Sequence, residues 1–498
     1  MAVAALTLGS AAMTAAHGAG WAFGPADLAV LRFTLLQAML SALISTGLAI
    51  PLARALARRR FVGRIALIRL MAAPFLLPVV VATLGLLAVF GRAGPVNHLL
   101  AALGLPALSI FGLQGVLLAH VFLNLPLATR MLLQGWQAIP AERFQLAQSL
   151  NMPPSAQFRH LELPMLRSHL PGIAVTVFLL CLTSFAVALT LGGGPQASTL
   201  ELAIYQALRF EFDLGHAAML ALVQFSLCLT VTLGALFLGA HPGFGPGLGR
   251  EAAIPAPPGM RRAFDGLVIA SAAVFLLAPL GAILWRGLPG LTELPAQVGA
   301  ALGRSVLIAI ASAGLATSAA LAMALAVIRG MRWLELVAML PLAASGLVMG
   351  TGLFLTFHPI LRPENLALPV TLLVNAAMAL PFLFRLILPA ARALQADYGR
   401  LAQSLGLENW AALRWLILPR LARPLGFGAG LAAALSMGDL GVIALFAGER
   451  SVTLPLLVQR LMGAYQMTAA AGAALVLVTA SFALFWLFDR WGAHNAAA

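Results

Sequence analysis

The residues of this chain that could break a bond or hold a metal are 16 acids, nine histidines and two cysteines. None is spaced for either task. HExxH pairs, paired carboxylates and a nucleophile motif are all absent. His120, His160, His169, His216, His241 and His358 are scattered, and read as interfacial or hydrogen-bonded structural residues. Cys181 and Cys228 lie in apolar runs with neither metal-ligand spacing nor a disulfide framework, so they read as small core residues. Every one of the 30 basic residues is arginine. Without lysine the chain has no Walker lysine, no Schiff-base lysine and no Ser-Lys dyad, and it cannot itself be a conventional P-loop ATPase. No catalytic residue, metal site or cofactor is expected.

What must position so sparse a set is a membrane. Hydrophobic residues make up 61% of the 498 positions and charged residues 9%, where an ordinary globular chain has about 25% charged. A surface with so little charge cannot keep this apolar mass in water. Apolar runs of roughly 20 residues, enough to cross about 30 Å of hydrocarbon, occur at 28–53, 67–90, 110–133, 170–191 and 215–238. Further runs occur at 264–285, 301–328, 333–357, 367–388, 424–446 and 467–488. Residues 1–20 are alanine-rich and lack the basic region of a signal peptide, so a stub is expected there in preference to a twelfth span. The expected fold is an all-α integral membrane protein of about 11 to 12 transmembrane helices.

The net charge of +14 is then topology charge, since short cytoplasmic loops hold an excess of arginine. RALARRRFVGR, after the first clear span, sets the inside. It carries with it Arg130, Arg143, Arg159, Arg167, Arg250, Arg261, Arg262, Arg329 and Arg332, and the arginines of 385–423. Contact with membrane lipids fits this distribution, and nucleic acid does not. Between two apolar halves, 1–240 and 263–498, lies a Gly/Pro-rich cytoplasmic linker, 241–262. Its glycines are spaced like a dinucleotide fingerprint, but a membrane span precedes them and prolines interrupt them, which leaves no phosphate site. Each half is expected to bury its own spans.

The halves are related. A shift of 255 residues lays AERFQLAQSLNMPPSAQFRHLELP (141–164) over ADYGRLAQSLGLENWAALRWLILP (396–419), with 11 of 24 positions identical. Leu125, Pro126 and Arg130 match Leu380, Pro381 and Arg385, and Thr199-Leu200 matches Thr453-Leu454 after one residue of slippage. Equal orientation of the repeated loop requires an even number of crossings per repeat, hence a pseudo-two-fold axis along the membrane normal. In each loop LAQSL forms a helical turn. Asn151 or Gly406 then ends it where a left-handed residue is tolerated, and a second helical stretch runs to Leu-Pro. Two short helices projecting on one side suit docking onto a two-fold symmetric cytoplasmic partner.

The spacing from Gly406 to Leu416, Leu418 and Pro419, repeated from Asn151 to Leu161, Leu163 and Pro164, resembles the EAA loop of ATP-binding-cassette importer permeases. The name-giving Glu-Ala-Ala is Gln145-Leu146-Ala147 in one copy and Arg400-Leu401-Ala402 in the other, and Asn151 stands for the glycine. HVFLNLPLATRMLLQ (120–134), LGGGPQASTLELAIYQAL (191–208) and SMGDLGVIALFAG (436–448) are similar to the thiamine and thiamine-pyrophosphate branch, in which two permeases are fused. The resemblance implies two fused type I importer bundles in the bacterial inner membrane, two copies of a cytoplasmic ATPase, and a periplasmic binding protein that delivers substrate. It implies ATPase coupling through Gln145, Leu146, Ala147, Asn151, Leu163, Pro164, Arg400, Leu401, Ala402, Gly406, Leu418 and Pro419. An iron(III) importer is the alternative within the family.

An ion-coupled secondary transporter is the alternative outside it, and normally needs ionisable groups near mid-membrane. Among the acids only Asp439 sits convincingly within an expected span, fifteen residues beyond Pro424. With Ser436 one turn away and Ser184 at the equivalent place in the first half, it marks a candidate substrate pathway.

Overall fold

No water reaches the hydrocarbon core to bond backbone N–H and C=O groups, so a chain that crosses it must satisfy them internally. In the computed structural model the described residues are 2–17, 23–71, 73–194, 197–237, 259–342, 344–358, 360–407, 409–449 and 451–497; they form helices and no strand. Residues 241–258 of the linker lie outside them.

Among the described residues ten helices are long and apolar enough to cross a membrane: Pro25–Arg58, Val79–Ala102, Leu113–Gln137, Pro154–Leu182, Leu214–Gly234, Met260–Glu293, Gln297–Ile328, Asn365–Ser404, Trp410–Phe446 and Met467–Asn495. The eleventh expected span, 333–357, is a pair, Leu334–Leu342 and Gly346–Phe357, bent by 95°. Other spans are broken too. The expected run 67–90 becomes short helices Arg64–Leu70 and Ala73–Leu76 before Val79–Phe90, because Pro74 and Pro78 supply no N–H to a continuous ladder. The run 170–191 breaks at Thr183 and Ser184, between Leu163–Leu182 and Phe185–Leu191. The run 424–446 breaks at the equivalent place, between Leu418–Met437 and Gly441–Phe446.

The two halves use matching contacts. Helix 25–58 packs on 113–137 and 163–182, as helix 297–328 packs on 363–404 and 418–437. Thr34 Oγ1 accepts the Leu200 N–H at 3.0 Å, and Ser305 Oγ accepts the Leu454 N–H at 2.9 Å. In each half a span thereby holds the start of the short helix that precedes the last span, Leu200–Gln206 or Leu454–Gly463.

Residues 1–20 were expected to form a stub; helix Ala2–His17 stands there and is docked, with Thr7 and Thr14 buried. Its 16 residues reach about 24 Å at 1.5 Å each. It packs on Gly346–Phe357 of the second half, while Met260–Gly290 packs on Val79–Phe90 of the first. The two crossings are reciprocal in detail: a Cβ on Gly352 would fall 2.4 Å from Ser10 Cβ, and a Cβ on Gly85 would fall 2.8 Å from the Pro279 carbonyl oxygen. Each half therefore completes the other's packing. Both helices also pack on their own half, 2–17 on 214–237 and 260–290 on 467–497, so the expectation that each half buries its own spans is corrected where these first helices reach across the boundary.

Candidate functional site

The repeated loop has the same backbone in both copies. Helix Ala141–Ser149 and the helix ending at Ser404 close when Asn151 and Gly406 take the left-handed conformation, φ 50° and 62°. The Met152 N–H then reaches back to the Ala147 carbonyl at 2.9 Å, and the Leu407 N–H to the Ala402 carbonyl at 2.9 Å. This six-to-one closure satisfies carbonyls that a helix end leaves bare. Gly406 has nothing within 4 Å of a built Cβ, so only backbone strain restricts the position. Gly406→Asn, the residue used by the first copy, is expected to retain transport. Gly406→Val is expected to lose assembly or coupling, because the left-handed region costs an L-residue about 1–2 kcal/mol and more when β-branched. Equal transport by both variants, measured beside expression level, would remove the turn argument.

Beyond the turn the chain does not stop at Leu-Pro. Five-residue π-helical segments, Phe158–Glu162 and Leu413–Ile417, carry it into the next span, and Pro164 and Pro419 follow their closing bonds, Leu163 N–H to Phe158 O and Leu418 N–H to Leu413 O. A widened turn at this point removes the clash of a proline ring with the carbonyl four residues back. The approach to the turn differs between copies. Pro140 separates helix Leu113–Gln137 from Ala141–Ser149, whereas Gln395 at the same place lets Pro363–Ser404 run unbroken for 42 residues. At 1.5 Å per residue that is about 63 Å, twice the hydrocarbon thickness. Its end projects well clear of the span.

On these projections Leu146 and Leu150 are 60% and 64% exposed, and Leu401 and Leu405 are 53% and 64% exposed. Gln145, Asn151, Pro164, Arg400, Gly406 and Leu418 are also exposed, Leu163, Ala402 and Pro419 are half-buried, and Ala147 is buried. Each copy thus presents two leucines one turn apart beside a charged or polar side chain.

The three pathway candidates separate. Ser436 is buried, accepting from Asn375 Nδ2 at 3.0 Å and donating to Ser312 Oγ at 3.3 Å. It belongs to a polar seam inside the second half. The first half has the counterpart at the same spacing: His120 replaces Asn375, with Ser41 Oγ 3.0 Å from its Nδ1, and Cys181 replaces Ser436, taking a hydrogen bond from Asn124 Nδ2 at 3.3 Å. Cys181 and Cys228 are free and buried, as expected. Ser184 and Asp439 instead stand at the two helix breaks. Asp439 is not inside a continuous helix. Its carboxylate faces the backbone N–H groups of Gly441, Val442 and Ile443, and Oδ2 is buried with no hydrogen-bond partner among the described residues. The breaks approach one another: a Cβ on Gly441 would lie 3.6 Å from Phe185 Cδ1.

Asp439 is not alone as an interior acid. Glu162 and Glu201 are buried, the latter accepting from Gln224 Nε2 at 3.3 Å, and Asp27 and Asp265 are buried beside His216 and Arg59. Among the described residues no group of three His, Cys, Asp or Glu could hold a metal ion.

No family model matches the chain. The thiamine transport system permease proteins ThiP of Salmonella typhimurium and Escherichia coli are each 42% identical to it over 94% of this chain and 89% of theirs. That of Brucella abortus is 39% identical over 94% of this chain and 88% of its own. With such identity sustained across both halves, the chain belongs to the thiamine transport system permease family.

Proposed function

We propose that the chain is the translocation subunit of an ATP-driven importer in the bacterial inner membrane, carrying thiamine and its phosphates delivered by a periplasmic binding protein. Two copies of a cytoplasmic ATPase dock on the two projecting turns, and their closure moves the spans that follow Leu163-Pro164 and Leu418-Pro419. The chain itself breaks no bond. The observation that carries this reading is the duplicated projection with its paired exposed leucines; the name of the relatives supplies the substrate. The halves are related by a pseudo-two-fold axis along the membrane normal, which the reciprocal packing of helices 2–17 and 260–290 supports.

The test is uptake of thiamine into vesicles holding the permease, its ATPase and a thiamine-binding protein, with ATP inside the cytoplasmic face. Stimulation of ATP hydrolysis by loaded binding protein is expected. Iron(III) uptake in its place would move the chain to the alternative substrate. A cysteine at Ser155 or Trp410, both exposed, is expected to react with a thiol reagent from the cytoplasmic side and to be shielded by the ATPase. Labelling from the outside would reverse the topology.

A further inference from the structure

The arginine run after the first span does more than mark the inside. Arg54 grips Glu162 with two bonds, Nε to Oε2 at 2.6 Å and Nη2 to Oε1 at 3.0 Å, and Arg58 Nη2 donates to Oε1 at 3.1 Å. Trp136 Nε1 adds a bond to Oε2 at 3.2 Å, and Glu162 is 1% exposed. The Arg54 guanidinium also lies 4.7 Å from the centre of the Phe158 ring. Both Phe158 and Glu162 belong to the π-helical segment that leaves the first projecting turn. The next arginine of the run, Arg59, pairs through Nε with Asp265 Oδ2 at 2.7 Å. Asp265 lies on helix 260–290, the helix that crosses onto the first half.

One partly buried cluster, centred on the buried Glu162, therefore joins three bodies: the exit of the first projection, the inner end of helix 25–58, and the first helix of the second half. Among the described residues the second half has no counterpart of Glu162, and its ion pair at this end, Arg392 with Glu335, is largely exposed. Ile417 stands at the place of Glu162 and Ala391 at the place of Trp136, and Leu325 lies as far beyond Ser312 as Arg54 lies beyond Ser41. Since buried ion pairs give little net stability over apolar replacements, packing alone does not account for the charged version.

We propose that Glu162 is a positioning residue that latches the first coupling segment to helix 25–58 and, through the Arg59–Asp265 pair, to the second half. Movement of the first projection is thereby carried across the boundary between halves, whereas the second projection moves only its own. This inference rests on the importer reading.

The test uses the whole complex in vesicles and measures thiamine moved per ATP together with hydrolysis in the absence of thiamine. Glu162→Gln is expected to lower thiamine per ATP about tenfold and to raise thiamine-free hydrolysis about fivefold, the range of ordinary coupling between sites. A second variant, Glu162→Ile with Trp136→Ala and Arg54→Leu, gives the first half the packing of the second; it is expected to assemble and to be equally uncoupled. Asp265→Arg is expected to uncouple as well, and Arg59→Asp added to it to restore coupling. A well-assembled triple variant with unchanged coupling and unchanged thiamine-free hydrolysis would overturn the latch, as would failure of the charge exchange to rescue. If the wild type moves no thiamine, the substrate reading falls, and the thiamine-free rate still decides the latch.

Discussion

Leu401→Asp combined with Leu405→Asp is expected to abolish ATP-driven uptake by releasing the ATPase, with affinity reduced a hundredfold or more. The two leucines stand one turn apart on the last stretch of the 42-residue helix, both more than half exposed, and the left-handed closure at Gly406 fixes their direction. An apolar pair at the centre of a docking patch typically carries about 2 kcal/mol or more, and an aspartate there adds a desolvation cost. The same exchange at Leu146 and Leu150 is expected to weaken the second contact. Co-purification of the ATPase with the detergent-solubilised variant is the measurement. If these leucines only rested on lipid, the variant would keep its ATPase, and that outcome would refute the docking role. Insertion is checked in parallel by yield of the variant in membranes.

The sequence was informative wherever its signal was local. Apolar runs located the spans, and the match of Asn151 to Gly406 located a left-handed turn that is present in both copies. Cys181 and Cys228 sit in the core, as their place in apolar runs indicates. The breaks at Ser184 and Asp439 were not legible, since both residues lie in stretches whose hydropathy is continuous on either side. The buried charges were missed for a different reason. Glu162 precedes a span and Asp265 stands at the edge of one, so both look like solvated acids, but their partners are 108 and 206 residues away. Window-based reading carries no information at that separation. The packing of the first helices across the boundary has the same origin: the apolar run 264–285 marks a span but not which half it meets, and residues 1–20 read as a stub. Pro140 against Gln395 was legible in principle, since a single proline distinguishes a broken projection from a continuous one.

Asp439→Asn is expected to lower uptake at sub-saturating thiamine about tenfold, equivalent to about 1.4 kcal/mol, while assembly and ATP hydrolysis persist. The carboxylate stands at the break before helix Gly441–Phe446, facing its first backbone N–H groups. That placement has a structural purpose of its own, because side-chain oxygens at a helix start satisfy donors the helix leaves bare. Asparagine serves there about as well as aspartate, so the substitution preserves the cap and removes only the charge. Asp439→Ala removes both, and is expected to lose a further 0.5–2 kcal/mol of stability. Gly441 meets Phe185 across the boundary between halves, and the equivalent residue on the other side, Ser184, is neutral. The expected drop rests on the proposed pathway, in which a thiazolium cation passing between the two breaks would meet the Asp439 carboxylate in an interior where Coulomb attraction is several times stronger than in water. A carboxylate facing lipid at this depth would cost about 2.5–3.5 kcal/mol, and the buried Oδ2 shows that it faces protein instead. Uptake by Asp439→Asn equal to wild type at every thiamine concentration would leave the carboxylate as a helix cap alone. Reduced uptake of the cation with the cap and the ATPase intact is the result that places it on the path.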